Sequence, residues 1–82
     1  MREIGTTLLP ATWRGLPVTV QVVYGIDGDG DWLWRVSEIW FDLDGYGGVD
    51  IRDDLTDCAF EMIYKQVEEA AAYIVERERG KA

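Results

Sequence analysis

Four acids between residues 27 and 38 have the spacing of a cation-binding loop. Asp27, Asp29 and Asp31 alternate with glycines, and Glu38 follows eleven residues after Asp27. A twelve-residue calcium loop takes oxygens from positions 1, 3 and 5 and from a bidentate glutamate at position 12. Asp27, Asp29, Asp31 and Glu38 are therefore the candidate metal ligands, with Ca²⁺ as the candidate cofactor. Two features weigh against this chemistry. Position 6 is Trp32, where the sharp turn asks for glycine. Residues 32–38 also alternate like a strand, which would carry Glu38 away from Asp27. The competing reading is a solvated hairpin loop, because Gly and Asp are the residues that turns select. The competing reading carries most of the weight.

Catalytic chemistry has little to work with. The chain has no histidine and one cysteine, Cys58. An activated thiol needs a base beside it, and histidine is the usual one. Gly45-Tyr46-Gly47-Gly48 is glycine-rich but lacks the lysine of a phosphate loop. A carboxylate dyad would need a cleft, which two thin layers seldom form. The expectation is a binding protein rather than an enzyme.

Charge placement says more. The net charge of the 82 residues is −8. Residues 1–26 sum to +1 and residues 58–82 to −1. Residues 27–57 hold ten acids against Arg35 and Arg52, a sum of −8. Phosphate recognition needs lysine and arginine, so direct binding of nucleic acid is not expected. A basic protein surface is the natural partner for such a segment. The partner-binding candidates are Asp42, Asp44, Asp50, Asp53 and Asp54, together with Trp40. A homodimer through the helix or the open sheet face is the other partnership considered. The lone cysteine fits a reducing, cytoplasmic setting. No apolar run approaches the ~18 residues of a membrane span.

The elements that must position these residues follow from periodicity. The expected strands are 4–13, 16–24, 32–43 and 49–51, and the expected helix is 57–79, all in a single domain spanning 1–82. Val18, Val20, Val22 and Tyr24 alternate with Thr19 and Gln21, the clearest strand pattern in the chain. Pro10 should disrupt pairing in the first strand and mark it as an edge or as bulged. Trp32, Trp34 and Val36 share one parity, but Ile39, Phe41 and Leu43 share the other. A bulge near Ser37-Glu38 would put both sets on the core face. Trp40 then falls on the opposite face, with Trp13 expected near it. From Thr56 or Asp57 the period becomes helical, with Ala59, Phe60, Ile63, Val67, Ala70, Ala71 and Ile74 as the apolar stripe. The class is α+β: a three- to four-stranded antiparallel meander with one long C-terminal helix on one face.

Two resemblances bear on function. Over residues 27–38 alone, the acid spacing resembles an EF-hand loop. In pattern, residues 16–75 loosely resemble small acidic bacteriophage-encoded proteins. The passages are Leu43-Asp44-Gly45 and Val49-Asp50-Ile51, leading into Asp53-Asp54-Leu55-Thr56-Asp57. Some of those proteins inhibit host defence, anti-CRISPR proteins among them, by offering carboxylates to a surface that normally holds nucleic acid. That resemblance implies an inhibitor or adaptor acting on a basic protein in the cytoplasm of a bacterial host.

Overall fold

Valines build the middle of the sheet. Val18, Val20 and Val22 are all buried, and their branched side chains suit a pleated surface packed on one side. They belong to β2, Leu16–Ile26, which lies between β1, Arg2–Trp13, and β3, Trp32–Leu43. A short β4, Gly47–Asp50, pairs with β3, and α1 runs from Asp57 to Lys81. The computed structural model describes residues 2–43, 47–51 and 55–81, with side chains for 2–41, 51 and 55–81. The sheet has the order β1-β2-β3-β4 with antiparallel neighbours, a simple meander. The fold class is α+β, as the change of period implies. β1 begins earlier than expected, β2 extends to Ile26, and β4 is Gly47–Asp50 rather than 49–51.

The β1–β2 hairpin turns on Arg14 and Gly15, with φ of 53° and 76°. Two consecutive positive φ values fit a type I′ turn, whose twist matches that of the strands it joins. The bulge in β3 is present. Val22 faces Val36 and Val20 faces Ile39, while Gln21 takes Glu38, leaving Ser37 unmatched. The Ser37 hydroxyl donates to the Gln21 carbonyl across the irregularity. Val36 and Ile39 are consequently both buried.

Pro10 does not break the ladder. Thr12 bonds sideways through its N–H and C=O to Gln66, so its main-chain groups point away from β2. In an antiparallel pair the groups of alternate residues share a side, so the nitrogen of Pro10 also points outward. The register between Pro10 and Thr19 is kept, because the missing donor faces outside the sheet. The irregularity of β1 lies instead at Ile4, between Glu3 and Gly5.

Thr56 caps the helix, its hydroxyl accepting from the Ala59 N–H at 3.2 Å, and Asp57 stands in the first turn. The buried seam of α1 is Ile63, Val67, Ala71 and Val75. Ala70, expected in the stripe, is exposed, and Val75 was not anticipated. Steps of four residues advance ~40° beyond a full turn on a 3.6-residue helix. The seam therefore drifts around the helix, which suits a helix laid obliquely on a twisted sheet. Twenty-five residues make α1 about 37 Å long at 1.5 Å per residue. Burial stops at Val75, and beyond it only Glu78 is even half-covered, so the last turns extend past the sheet.

Candidate functional site on the open sheet face

One helix covers one face of the sheet. The other face presents the residues out of phase with the core, among them Leu8, Gln21, Leu33, Arg35, Glu38 and Trp40. Trp40 is half-buried there, between Ile39, which is buried in the core, and Phe41, which packs toward the helix side. Its register partners are Thr19 in β2 and Asp50 in β4. Glu38 stands two residues before it and Asp42 two residues after. The backbone thus sets Trp40 among three acid-bearing positions. The side chains of Asp42 and Asp50, and residues Asp44, Asp53 and Asp54 altogether, lie outside the described residues.

Trp13 is not near Trp40. It belongs to the helix side of the sheet, where its ring meets Phe41 edge-on at 6.4 Å and Arg14 sits 5.0 Å above it. The reason is parity: Trp13 follows Leu9 and Ala11 along the core-facing side of β1. Trp34 also turns to the helix, stacked on Tyr64 at 4.8 Å. Trp32 shares the parity of Trp34 in β3, so Trp40 is the tryptophan that parity leaves for the open face. Arg35 reaches Glu3 at 3.4 Å across β2, an exposed pair of little energetic weight.

The acidic loop is not arranged as a calcium site. One carboxylate oxygen of Asp27 accepts from the N–H groups of Asp29 and Asp31, each at 2.9 Å. The Asp27 carbonyl accepts from Gly30, whose φ is 87°. Asp27 is thus engaged in shaping its own turn. Glu38 lies opposite Gln21, five rungs along the ladder from the Ile26–Trp32 pair that closes the hairpin, so it cannot fold back onto Asp27. Among the described residues no three acid, cysteine or histidine side chains are placed to share a metal ion. The strand that follows Asp31 thus separates Glu38 from Asp27, Asp29 and Asp31. Millimolar Ca²⁺ should leave the melting temperature unchanged, since only a ligand of the native state raises it. A rise of several degrees that disappears in Asp29→Asn would reinstate the site.

A cleft of about 370 Å³ opens where the β1–β2 turn meets the helix start, lined by Trp13, Arg14, Leu55, Cys58, Ala59 and Met62 among others. Its lining is mainly apolar and offers the exposed Cys58 thiol no carboxylate or histidine as base. A second hollow is bordered by Cys58, Met62 and the exposed ion pair of Glu61 with Lys65 at 3.5 Å.

Comparison with protein families, with curated proteins and with solved structures found no match to this chain. No described helix is long and apolar enough to cross a membrane.

Sequence reasoning missed Gln66. Its amide clasps Thr12 by accepting from the main-chain N–H at 2.9 Å and donating to the carbonyl at 2.8 Å. The signal was present, since Gln66 is a long amide on the helix flank nearest an edge strand. Nothing in the periodicity marked which strand that edge belonged to.

Proposed function

We propose that this chain is a small acidic protein-binding module, an inhibitor or adaptor that docks on a basic protein through the open sheet face and the neighbouring 42–54 segment. The observation that carries the reading is the placement of Trp40, on the face the helix leaves uncovered, in register with Asp50 and two residues from both Glu38 and Asp42. An indole beside carboxylates suits a lysine or arginine side chain. The ring attracts the cation, the acids neutralise it, and the aromatic supplies contact area. The segregated charge supports the same partner, because a surface of one sign steers association and speeds it. The resemblance to phage proteins that block nucleic-acid-binding surfaces points the same way.

Charge reversal tests the proposal. Partners captured from a lysate at low salt are compared for wild type, for Asp44→Lys with Asp53→Lys, and for Glu68→Lys with Glu76→Lys. The helix pair adds the same positive charge on exposed positions of α1. The first pair should weaken binding by about tenfold or more, and the helix pair by no more than about threefold, with melting temperatures little changed. Raised salt should weaken the wild-type complex. Equal losses from both pairs would mean general acidity only. A greater loss from the helix pair would move the interface to α1.

A further inference from the structure

The opposite edge of the sheet has a different character. β1 is a twelve-residue edge strand, and residues 4–26 carry a single charged side chain, Arg14. An edge strand exposes unpaired main-chain groups unless something blocks them. Two devices block the C-terminal half of this edge. Gln66 occupies the outward groups of Thr12, and Pro10 has no N–H to offer. By the same alternation the N–H and C=O of Leu8 and Thr6 also point outward. Nothing among the described residues bonds to them from that side.

Apolar side chains flank this open stretch above and below. On the open face Leu8 is 54 % exposed, and Ile4, at the bulge, 42 %. On the helix side Tyr73 is 67 % exposed. It stands seven residues after Gln66, two helical turns, and so on the flank of α1 that looks toward β1. Gln66, Glu69, Ala70, Tyr73 and Ile74 border a hollow of about 450 Å³ along that flank.

We infer that the Thr6–Leu8 edge of β1 is a self-association site, where two copies of this chain pair β1 with β1 antiparallel about a two-fold axis and join their sheets. The register is set by the blocked positions. With Thr7 facing its own copy on the axis, Thr6 of each chain meets Leu8 of the other, and both residues exchange N–H and C=O. That register makes four hydrogen bonds without using Pro10 or Thr12. Centring the axis on Leu8 instead would set Thr6 against Pro10, which lacks its donor. Centring it on Thr6 would set Leu8 against the bulge at Ile4. A two-fold axis normal to the sheet places both helices on the same side, with the Tyr73 flanks facing each other. Among the described residues Glu69 is the one acid bordering the hollow, and residues 4–26 bring only Arg14 to the contact. The acid-rich β3–β4 side lies roughly 10–15 Å away at ~4.8 Å per strand, beyond a Debye length at physiological salt. This site is separate from the Trp40 surface and does not depend on it.

Sedimentation equilibrium of the purified chain, from micromolar to millimolar, tests the inference. A concentration-dependent monomer–dimer equilibrium that salt does not weaken is expected. Leu8→Pro should weaken the dimer by roughly 30-fold or more, since two of the four bonds lose their donors. The monomer should survive this change because its ladder already accommodates Pro10 at an equivalent position, which a circular dichroism melt would check. Tyr73→Glu, which leaves β1 intact, should weaken the dimer and guards against a misfolded Leu8→Pro. A wild-type chain that stays monomeric to millimolar concentration overturns the inference. So does a dimer that neither Leu8→Pro nor Tyr73→Glu weakens.

Discussion

Ile63→Ala is expected to cost about 2–4 kcal/mol of stability, the usual cost of emptying a fully buried aliphatic site. Ile63 is 1 % exposed and stands in the one core shared by helix and sheet, with Val18, Val20, Val22, Ile39 and Val67. No polar side chain is buried among the described residues, so no bonded group would hold the layers together once that volume is lost. For a domain of this size each kcal/mol moves the melting temperature by about 4–8 °C, so the midpoint should fall by about 10–25 °C. Met62→Ala, one residue away on the exposed side, should move it by no more than a few degrees. The comparison is made by thermal melts at low micromolar concentration, where self-association contributes least. An Ile63→Ala midpoint within two degrees of wild type would mean that α1 does not make the core.

Gly25→Ala should cost about 2–3 kcal/mol, for the opposite reason. A methyl at Gly25 would run into the carbonyl of Arg2 and crowd Glu3, where β1 bulges at Ile4 and draws close to β2. The obstacle is backbone, which cannot swing aside as a side-chain tip can. Gly5 supplies the intermediate case, since its added methyl would meet the hydroxyl end of Tyr24, which can rotate away. Gly28, in the hairpin loop, has nothing near it. Urea denaturation of the three alanine variants should rank the losses Gly25, Gly5, Gly28. A Gly25→Ala variant as stable as Gly28→Ala would show that the approach of Arg2 to Gly25 is looser than described.

Much of this architecture was legible in the sequence because it follows from period. The alternation of Val18, Val20 and Val22 announced β2, and the parity slip between Val36 and Ile39 announced the bulge at Ser37. Thr56 announced the helix start. These are local rules, each satisfied within a few residues. Tertiary relations were not legible. Pro10 reads as a breaker until it is known that its nitrogen faces outward. Trp13 and Trp40 differ in face only once both hairpin registers are fixed. The drift of the seam to Val75, at the expense of Ala70, depends on the angle at which the helix crosses the sheet. For the site, the strand that removes Glu38 from Asp27 could be read from Trp32, Trp34 and Val36. Trp40 was found by parity alone. Asp44, Asp53 and Asp54 rest on charge, since they lie outside the described residues.

The clasp between Gln66 and Thr12 also bears on uniqueness. An aliphatic seam built from Ile63, Val67, Ala71 and Val75 is greasy throughout and repeats every four residues. Such a surface discriminates poorly between the native placement of the helix and one slid along its axis by a turn. After such a slide the position opposite Thr12 would be taken by Met62 or Ala70, and neither can both accept from its N–H and donate to its carbonyl. Gln66 therefore acts as a key cut for one notch. Its two main-chain bonds add little to the total free energy of folding, but they penalise the nearest wrong alignment, where an edge strand would lose a partner and gain none.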